Sequence, residues 1–489
     1  MRKIIPPVFL TLSLFSIYLA TLAPGLTWAN DGADGGDLIS AAVTGGVAHP
    51  SGYPTYLLLA RLFQMIPVGT LAFRTNLMSA LAGVLSALLV YGILVWVSDS
   101  PVQGNWLAGL VAGFSFGLSP IIWSQAVITE VYTLHTALAA LVILLTLWIP
   151  SERSRTWLEV MRGLALGLAL GNQLTSVFLI PPILFISAWQ SGWKFNLRSI
   201  LMACSGLGAG LLVYGSLPLR AFSNPPVNWG NPATLNQFWW LVSGALYQRR
   251  LLDLPLAGML ERGRTLAGLL LNQFELPGIL MGLVGLVYYF RPSRLYFITI
   301  FNVISFSLFA ILYATFDSYI YLLPVFLSFA LWIGLGIGGL LQSVRKHQRL
   351  ARIGLLIFFT LWFFTASLVR WPEVDASRDT NAEQFGAHAM QNLPQNAIVF
   401  TDSDQAIFGL WYFHYALKQR PDITVIATNL LGWDWYLHTL RTTYPGLDWS
   451  ADVIWPPTII SNNPGHPVCQ VSYWDQEEIS CVPGSSANP

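Results

Sequence analysis

Charge is what this 489-residue sequence has least of. Asp, Glu, Lys and Arg together make up 10%, against about 25% in an ordinary soluble domain. A soluble fold of this length could not cover its surface with so few charges. Disorder is excluded on the same ground, since disordered chains are polar and charge-rich. The net charge is +1, with no basic block beyond Arg345–Arg352, which argues against a nucleic-acid partner. Three cysteines exclude a disulfide-dense scaffold: Cys204 stands alone in an apolar run, and Cys469 and Cys481 lie near the C-terminus. The chain carries no Gly-rich phosphate loop, zinc-ligand spacing or G-x-S-x-G elbow, and no repeat of 20–50 residues. What it has is apolar surface: 54% hydrophobic residues and 20 Trp, as suits many membrane–water interfaces. The fold class is an all-α polytopic membrane protein.

A membrane helix needs about 20 apolar residues. Eleven candidates read roughly as 5–24, 76–97, 104–122, 131–149, 161–173, 174–190, 199–217, 272–290, 295–314, 318–341 and 353–370. The stretch 161–190 is one kinked helix or a hairpin of two short ones, broken at Asn172–Gln173. Loop charge decides, because cytoplasmic loops carry excess Lys and Arg. With a hairpin, Arg2/Lys3, Arg153/Arg155/Arg162, Lys194/Arg198, Arg291/Arg294 and Arg345/Lys346/Arg349/Arg352 all fall inside. The N-terminus is then cytoplasmic, and residues 24–75, 218–271 and the tail 371–489 face outside. The transmembrane unit is 1–370. The tail regains charge: Ala397–Thr401 and Ile423–Thr428 read as strands, and Asp404–Lys418 and Trp433–Thr443 as helices, a small extracytoplasmic α/β domain. In an oxidising compartment, a Cys469–Cys481 disulfide is expected.

The spans hold few ionisable groups, with His135 in the fourth and Glu275 near the outer end of the eighth; ion-coupled transport would require more. The acids gather outside. Asp31, Asp34 and Asp37 recur every third residue among glycines that let the backbone turn tightly. Such a loop supplies a general base, ligates a divalent cation, or is an ordinary solvated turn. Then comes His49-Pro-Ser-Gly-Tyr53-Pro-Thr-Tyr56, a stiff loop entering a helix along the membrane surface. His49 binds phosphate, relays a proton or is structural. Glu130, followed closely by Tyr132, is an acid among apolar residues and needs a partner. Arg220 stands where a span reaches the outer interface, suited to a lipid phosphate or to snorkelling. Arg249, Arg250, Arg262 and Arg264 lie outside against the charge rule, as ligands of an anion or as anchors. Asn228, Trp229 and Asp317 are further polar candidates on the outer side, and Thr401–Asp404 reads as a helix N-cap.

Together these segments resemble a family of bacterial membrane proteins to which an animal transmembrane protein O-mannosyltransferase is related. The family's first outer loop reads G-D-S-G-E-[FL]-I and then H-P-P-G-Y-P. Here that is Ala33-Asp34-Gly35-Gly36-Asp37-Leu38-Ile39 and His49-Pro50-Ser51-Gly52-Tyr53-Pro54. Trp123–Val127 with Glu130–Tyr132, Leu170–Thr175, Pro218–Arg220, Asn224–Gly230 and Leu393–Asp422 also match. Asp37 replaces the usual Glu, Ser51 a Pro, and Asn30–Ala33 has the look of an insertion. The resemblance implies a GT-C-like fold with its site on the outer face of a bacterial plasma membrane. It implies sugar transfer from a polyprenyl-phosphate donor to a hydroxyl of a protein or glycan. The loop acid, Asp34 first and Asp37 second, would be base or metal ligand, with no cofactor required beyond a divalent cation if the three aspartates hold one. Arg220, with His49, would bind donor phosphate; Tyr53, Glu130, Tyr132, Asn228, Trp229 and Asp317 would line the site. The competing readings are a lipid-linked-sugar flippase and a non-catalytic envelope scaffold.

Overall fold

The computed structural model describes residues 4–97, 100–149, 152–194, 196–288, 293–343, 348–450, 454–473 and 477–484. Of the residues in the charge tally, Arg2, Lys3, Arg291, Arg345 and Lys346 lie outside these, as do the side chains of Arg153 and Arg155. Among the described residues, six helices are long and apolar enough to cross a membrane, or seven if one bent pair counts as a span. Three shorter apolar helices, Ile5–Thr21, Tyr132–Leu147 and Leu174–Gln190, stand beside them. The protein is a multi-pass integral membrane protein.

Local chemistry explains where these helices stop and bend. Thr70 starts the helix Leu71–Val95 by accepting from the Phe73 N–H at 3.0 Å. Trp106–Gly117 and Pro120–Ala126 meet at 67°, because Pro120 disfavours helical backbone at Ser119. The helix Leu256–Tyr288 is longer than the expected span. It begins sixteen residues before 272, which shortens the second outer loop. Inside it Glu275 has φ 52° and Pro277 follows. A proline cannot donate to the carbonyl four residues back. Arg370 fills the gap: its guanidinium donates to Asn272 O (3.2 Å), Gln273 O (3.1 Å) and Leu118 O (2.9 Å) and pairs with Glu275 at 3.1 Å. Glu275 is therefore the partner of a cation on the last long helix, Gln348–Val374.

The stretch 161–190 is broken as the sequence suggests. The helix Glu152–Leu170 ends, a 3-10 turn Leu174–Leu179 follows, and Ile180–Gln190 continues. A Cβ on Gly163 would meet Ala203 and Leu207, and one on Gly167 would meet Leu207 and Gly210. Glu152–Leu170 and Leu197–Leu211 thus run in the same direction, backbone against backbone. The chain between them returns through the same depth. Glu159 and Arg162 form a buried ion pair on the first of these two helices.

Gly35–Thr44 and Pro54–Gln64 are helices, the second carrying exposed Leu58 and Leu62. In the tail, β1 (Ile398–Thr401), β2 (Thr424–Ala427), β3 (Val468–Tyr473) and β4 (Glu477–Val482) form one sheet in the order β2-β1-β3-β4. The first two pairings are parallel and β3–β4 is antiparallel. The helices Asp404–Trp411 and Asp434–Thr443 follow β1 and β2, close to the bounds expected. Cys469 and Cys481 face each other in the β3–β4 register and are joined by a disulfide. Arg420 explains the Leu393–Asp422 phrase. It donates to Met390 O, Leu393 O and Pro394 O, each at 2.8 Å, closing the end of the helix Asn381–Asn392, and is gripped by Asp422.

Candidate active site

The three loop aspartates do not converge. Asn30 and Asp31 have φ of 56° and 61°, in the left-handed region that Asn and Asp tolerate. This turns Asp31 outward, where its carboxylate accepts from the Tyr319 hydroxyl at 2.8 Å. Asp34 precedes the helix Gly35–Thr44, and Asp37 lies in its first turn. The glycines bring backbones together rather than carboxylates: a Cβ on Gly36 would stand 2.2 Å from the Phe408 carbonyl oxygen of the tail. Among the described residues no group of three His, Cys, Asp or Glu is placed to hold a metal. The aspartates do not fit a shared divalent cation.

Asp37 and Asp34 differ in freedom. Asp37 is 0% exposed and accepts three hydrogen bonds, from the His49 N–H (3.0 Å), His49 Nδ1 (2.8 Å) and Trp229 Nε1 (3.0 Å). Its oxygens are occupied. The Trp229 indole is delivered by a bridge between Val47 and Asn228, closed by Val47 N to Val227 O and Trp229 N to Val47 O. Asn228 itself turns away, donating to Asn231 Oδ1 at 3.1 Å. Tyr53 packs edge-on against the imidazole at 5.0 Å. The far nitrogen of His49, Nε2, faces Asp34 Oδ2 at 3.5 Å. The Asp34 side chain is 37% exposed.

These contacts set the charges. Burial alone would lower the His49 imidazole; Asp34 and the hydrogen-bonded Asp37 outweigh it and raise it to about 9. His49 is therefore a cation clamped between two carboxylates. Burial raises Asp34, the His49 cation opposes this, and Asp37, Asp404 and Asp317 add to the rise. Glu130 is 4% exposed, with one oxygen accepting from the Val131 N–H at 3.2 Å. Burial first, then the Asp34 charge, pushes it well above the usual carboxylate range. Two carboxyls of the site are thus both raised by burial, one beside the His49 cation and one buried among apolar residues.

Asp34, Asp37, His49, Tyr53, Glu130, Trp229 and Asp317 are thus in one electrostatic neighbourhood. Tyr132 lines it through an edge contact with Tyr321 at 6.2 Å. Arg220 is elsewhere. It donates to Ala41 O (3.4 Å) and Gly46 O (3.0 Å), beyond the other end of the aspartate helix, and Arg61 donates there to Val43 O. Cations suit a helix C-terminus.

Two contributors were not read from the sequence. By sequence Asp404 reads as part of an N-cap; Ser403 is the N-cap residue, no side chain caps the helix, and Asp404 stands in its first turn. It faces the site, where burial raises its carboxyl against the pull of His49. Phe408, one turn on, stacks on His49 at 6.4 Å with planes 17° apart. The apolar spacing of Ala406–Trp411 marked a buried helix face but not what it covers.

Comparisons fit this arrangement. Residues 34–196 match the family described as Protein O-mannosyl-transferase TMEM260 N-terminal domain, and residues 382–446 match TMEM260-associated domain 2. The chain is 26% identical over 474 residues to Protein O-mannosyl-transferase TMEM260 of Mus musculus, an alignment spanning 90% of this chain and 65% of that one. It is 24% identical over 508 residues to its Dictyostelium discoideum counterpart, spanning 92% and 60%. The chain thus covers less than two thirds of the length of these relatives. The structure of ArnT from Cupriavidus metallidurans bound to undecaprenyl phosphate superposes with a TM-score of 0.60 at 14% identity, covering 96% of this chain and 93% of ArnT. By these likenesses the chain is a GT-C-like membrane protein related to the TMEM260 protein O-mannosyl-transferases.

Proposed function

We propose that this chain transfers a sugar from a polyprenyl-phosphate donor to an acceptor hydroxyl, a protein Ser or Thr or an envelope glycan. The reaction takes place on the outer face of a bacterial plasma membrane. The N-terminus lies inside, and eleven crossings put the tail 371–489 outside. Two relatives carry the name protein O-mannosyl-transferase, and ArnT holds undecaprenyl phosphate on the same fold.

The observation that carries the reading is the unequal pair of aspartates. Asp37 is locked by three donors, whereas Asp34 is partly exposed beside a cationic His49. Asp34 is the general base. The acceptor O–H proton passes to its carboxylate as the oxygen–anomeric carbon bond forms. The anomeric carbon–phosphate bond breaks, and its electron pair leaves on the polyprenyl phosphate. A raised carboxylate is the better base near neutral pH. Glu130, held protonated, donates to a sugar hydroxyl; Tyr53, Tyr132, Trp229 and Asp317 wall the cleft.

Asp34→Asn is expected to cut turnover at least about a hundredfold while leaving donor binding nearly intact, measured with a polyprenyl-phosphate sugar and a hydroxyl acceptor. Full turnover in Asp34→Asn and in Asp37→Asn would end the catalytic assignment and favour a transporter or scaffold. For topology, a cysteine placed at Ser450 in a Cys204→Ser background should react with an impermeant maleimide in intact cells. Labelling only after lysis refutes the external tail.

A further inference from the structure

A departing phosphate needs a cation at the scissile bond, and the Arg220 guanidinium is already engaged, donating to Ala41 O and Gly46 O. Its anchor Ala41 lies seven residues along the helix from Asp34, about 10 Å at the α-helical rise.

Two other guanidiniums, Arg249 and Arg250, are linked to the site through a row of tyrosines. The turn Gln248–Arg250 runs into an antiparallel bridge in which Leu251 lies opposite Tyr313. Leu252 N donates to Leu312 O at 2.9 Å, and Ala314 N donates to Arg250 O at 2.8 Å. Arg250 is thereby fixed next to Tyr313. That ring packs at 5.6 Å on Tyr321, and Tyr321 packs on Tyr132 in the cleft wall. Arg249 and Arg250 are exposed, and neither guanidinium has an ion-pair or hydrogen-bond partner among the described residues. Arg262, by contrast, is spent. It donates to Ser318 Oγ and Thr315 O at 2.8 Å, Ala310 O at 3.2 Å, and Tyr313 O, and so holds the Asp317 loop in place.

Below the arginines runs an apolar strip. Leu252, Leu256 and Leu260 recur every fourth residue, each more than half exposed, leading down the membrane-length helix Leu256–Val287. Cations at the interface above an exposed leucine stripe complement a lipid with one charged head and one hydrocarbon tail.

We propose that Arg249 and Arg250 hold the phosphate of the polyprenyl donor, with its first isoprene units along Leu252, Leu256 and Leu260. The assignment rests on the donor reading above.

The test uses the full chain in lipid nanodiscs with undecaprenyl phosphate as probe, binding being followed by native mass spectrometry. Replacing both residues, Arg249→Ala with Arg250→Ala, should weaken binding at least about tenfold, the loss expected for charge-assisted hydrogen bonds. Arg220→Ala and the exposed-arginine control Arg264→Ala should stay within about twofold of the unmodified chain. If the alanine pair melts early, the Arg249→Gln, Arg250→Gln pair replaces it, keeping polar stems without the charge. Unchanged affinity in a folded double variant overturns the assignment, and so does weakening by Arg220→Ala alone. Failure of the unmodified chain to bind at all overturns the donor reading and this assignment with it.

Discussion

The first outer loop and the tail meet at the site but contribute differently. The loop supplies the titratable cluster: within sixteen residues it places Asp34, Asp37 and His49 in contact. The tail supplies mainly constraint. Its Asp379 accepts from Thr27 Oγ1, Trp28 N (3.0 Å) and Ala29 N (3.1 Å), and its Glu383 accepts from Leu26 N at 2.8 Å. Trp28 lies between Phe385 and Tyr473, and Trp229 between Trp411 and Trp435. A loop with this many glycines has no fixed shape of its own. The difference teaches that its geometry is imposed from outside, by a sheet domain far along the chain.

Breaking the close approach should have the largest effect. Gly36→Val places a side chain against the Phe408 carbonyl, where both partners are backbone and neither yields. Transfer should fall at least about a hundredfold, as misplacement by an ångström can cause, and the tail should become protease-sensitive in membranes. Wild-type turnover in this variant would show that the loop holds its own shape. Asp379→Ala strands three donors of the loop and should cost about 2–4 kcal/mol, read as a lower thermal midpoint; an unchanged midpoint would remove the tail's holding role.

A smaller effect concerns pH. His49 is raised in the fold from 6.5 to about 9, so the native state binds the extra proton in that interval. Its contribution to stability is complete below pH 6.5 and lost as pH climbs through about 9. Unfolding followed across this window should show a slope that flattens in His49→Gln; equal slopes would contradict the clamped imidazolium. The smallest effect belongs to Asp31→Asn, expected to change stability by less than about 0.5 kcal/mol and turnover little. A large loss there would make the Tyr319 contact part of the chemistry.

Much of this was legible in the sequence. Apolar runs of span length need no tertiary context, and a loop reading Asp-Gly-Gly-Asp before His-Pro announces polar chemistry at a membrane edge. Spacing groups Asp31 with Asp34 and Asp37 only as ligands of a shared cation, and it cannot report that Asn30 and Asp31 turn through positive φ. Arg220 looked like a phosphate ligand because its depth is readable and its neighbour, the far end of a short helix, is not. Asp404 was hidden for a different reason. A carboxylate opening a helix is so often a cap that only its position across from His49 distinguishes it. Strands β3 and β4 escaped notice since β4 is an edge strand with mostly exposed side chains, lacking the apolar alternation that marks a buried strand.

The distance between loop and tail along the chain has a consequence for biosynthesis. Trp28 and Asp379, bonded in the fold, are separated by 351 residues. At about 5–20 residues per second, the acidic loop is made some tens of seconds before the segment that will shape it. During that interval the helices can insert and pack, but the centre that would carry out transfer does not yet exist. The site therefore takes shape only after Phe408 is made, and a ribosome stalled before it leaves a bundle whose acidic loop lacks its tail contacts.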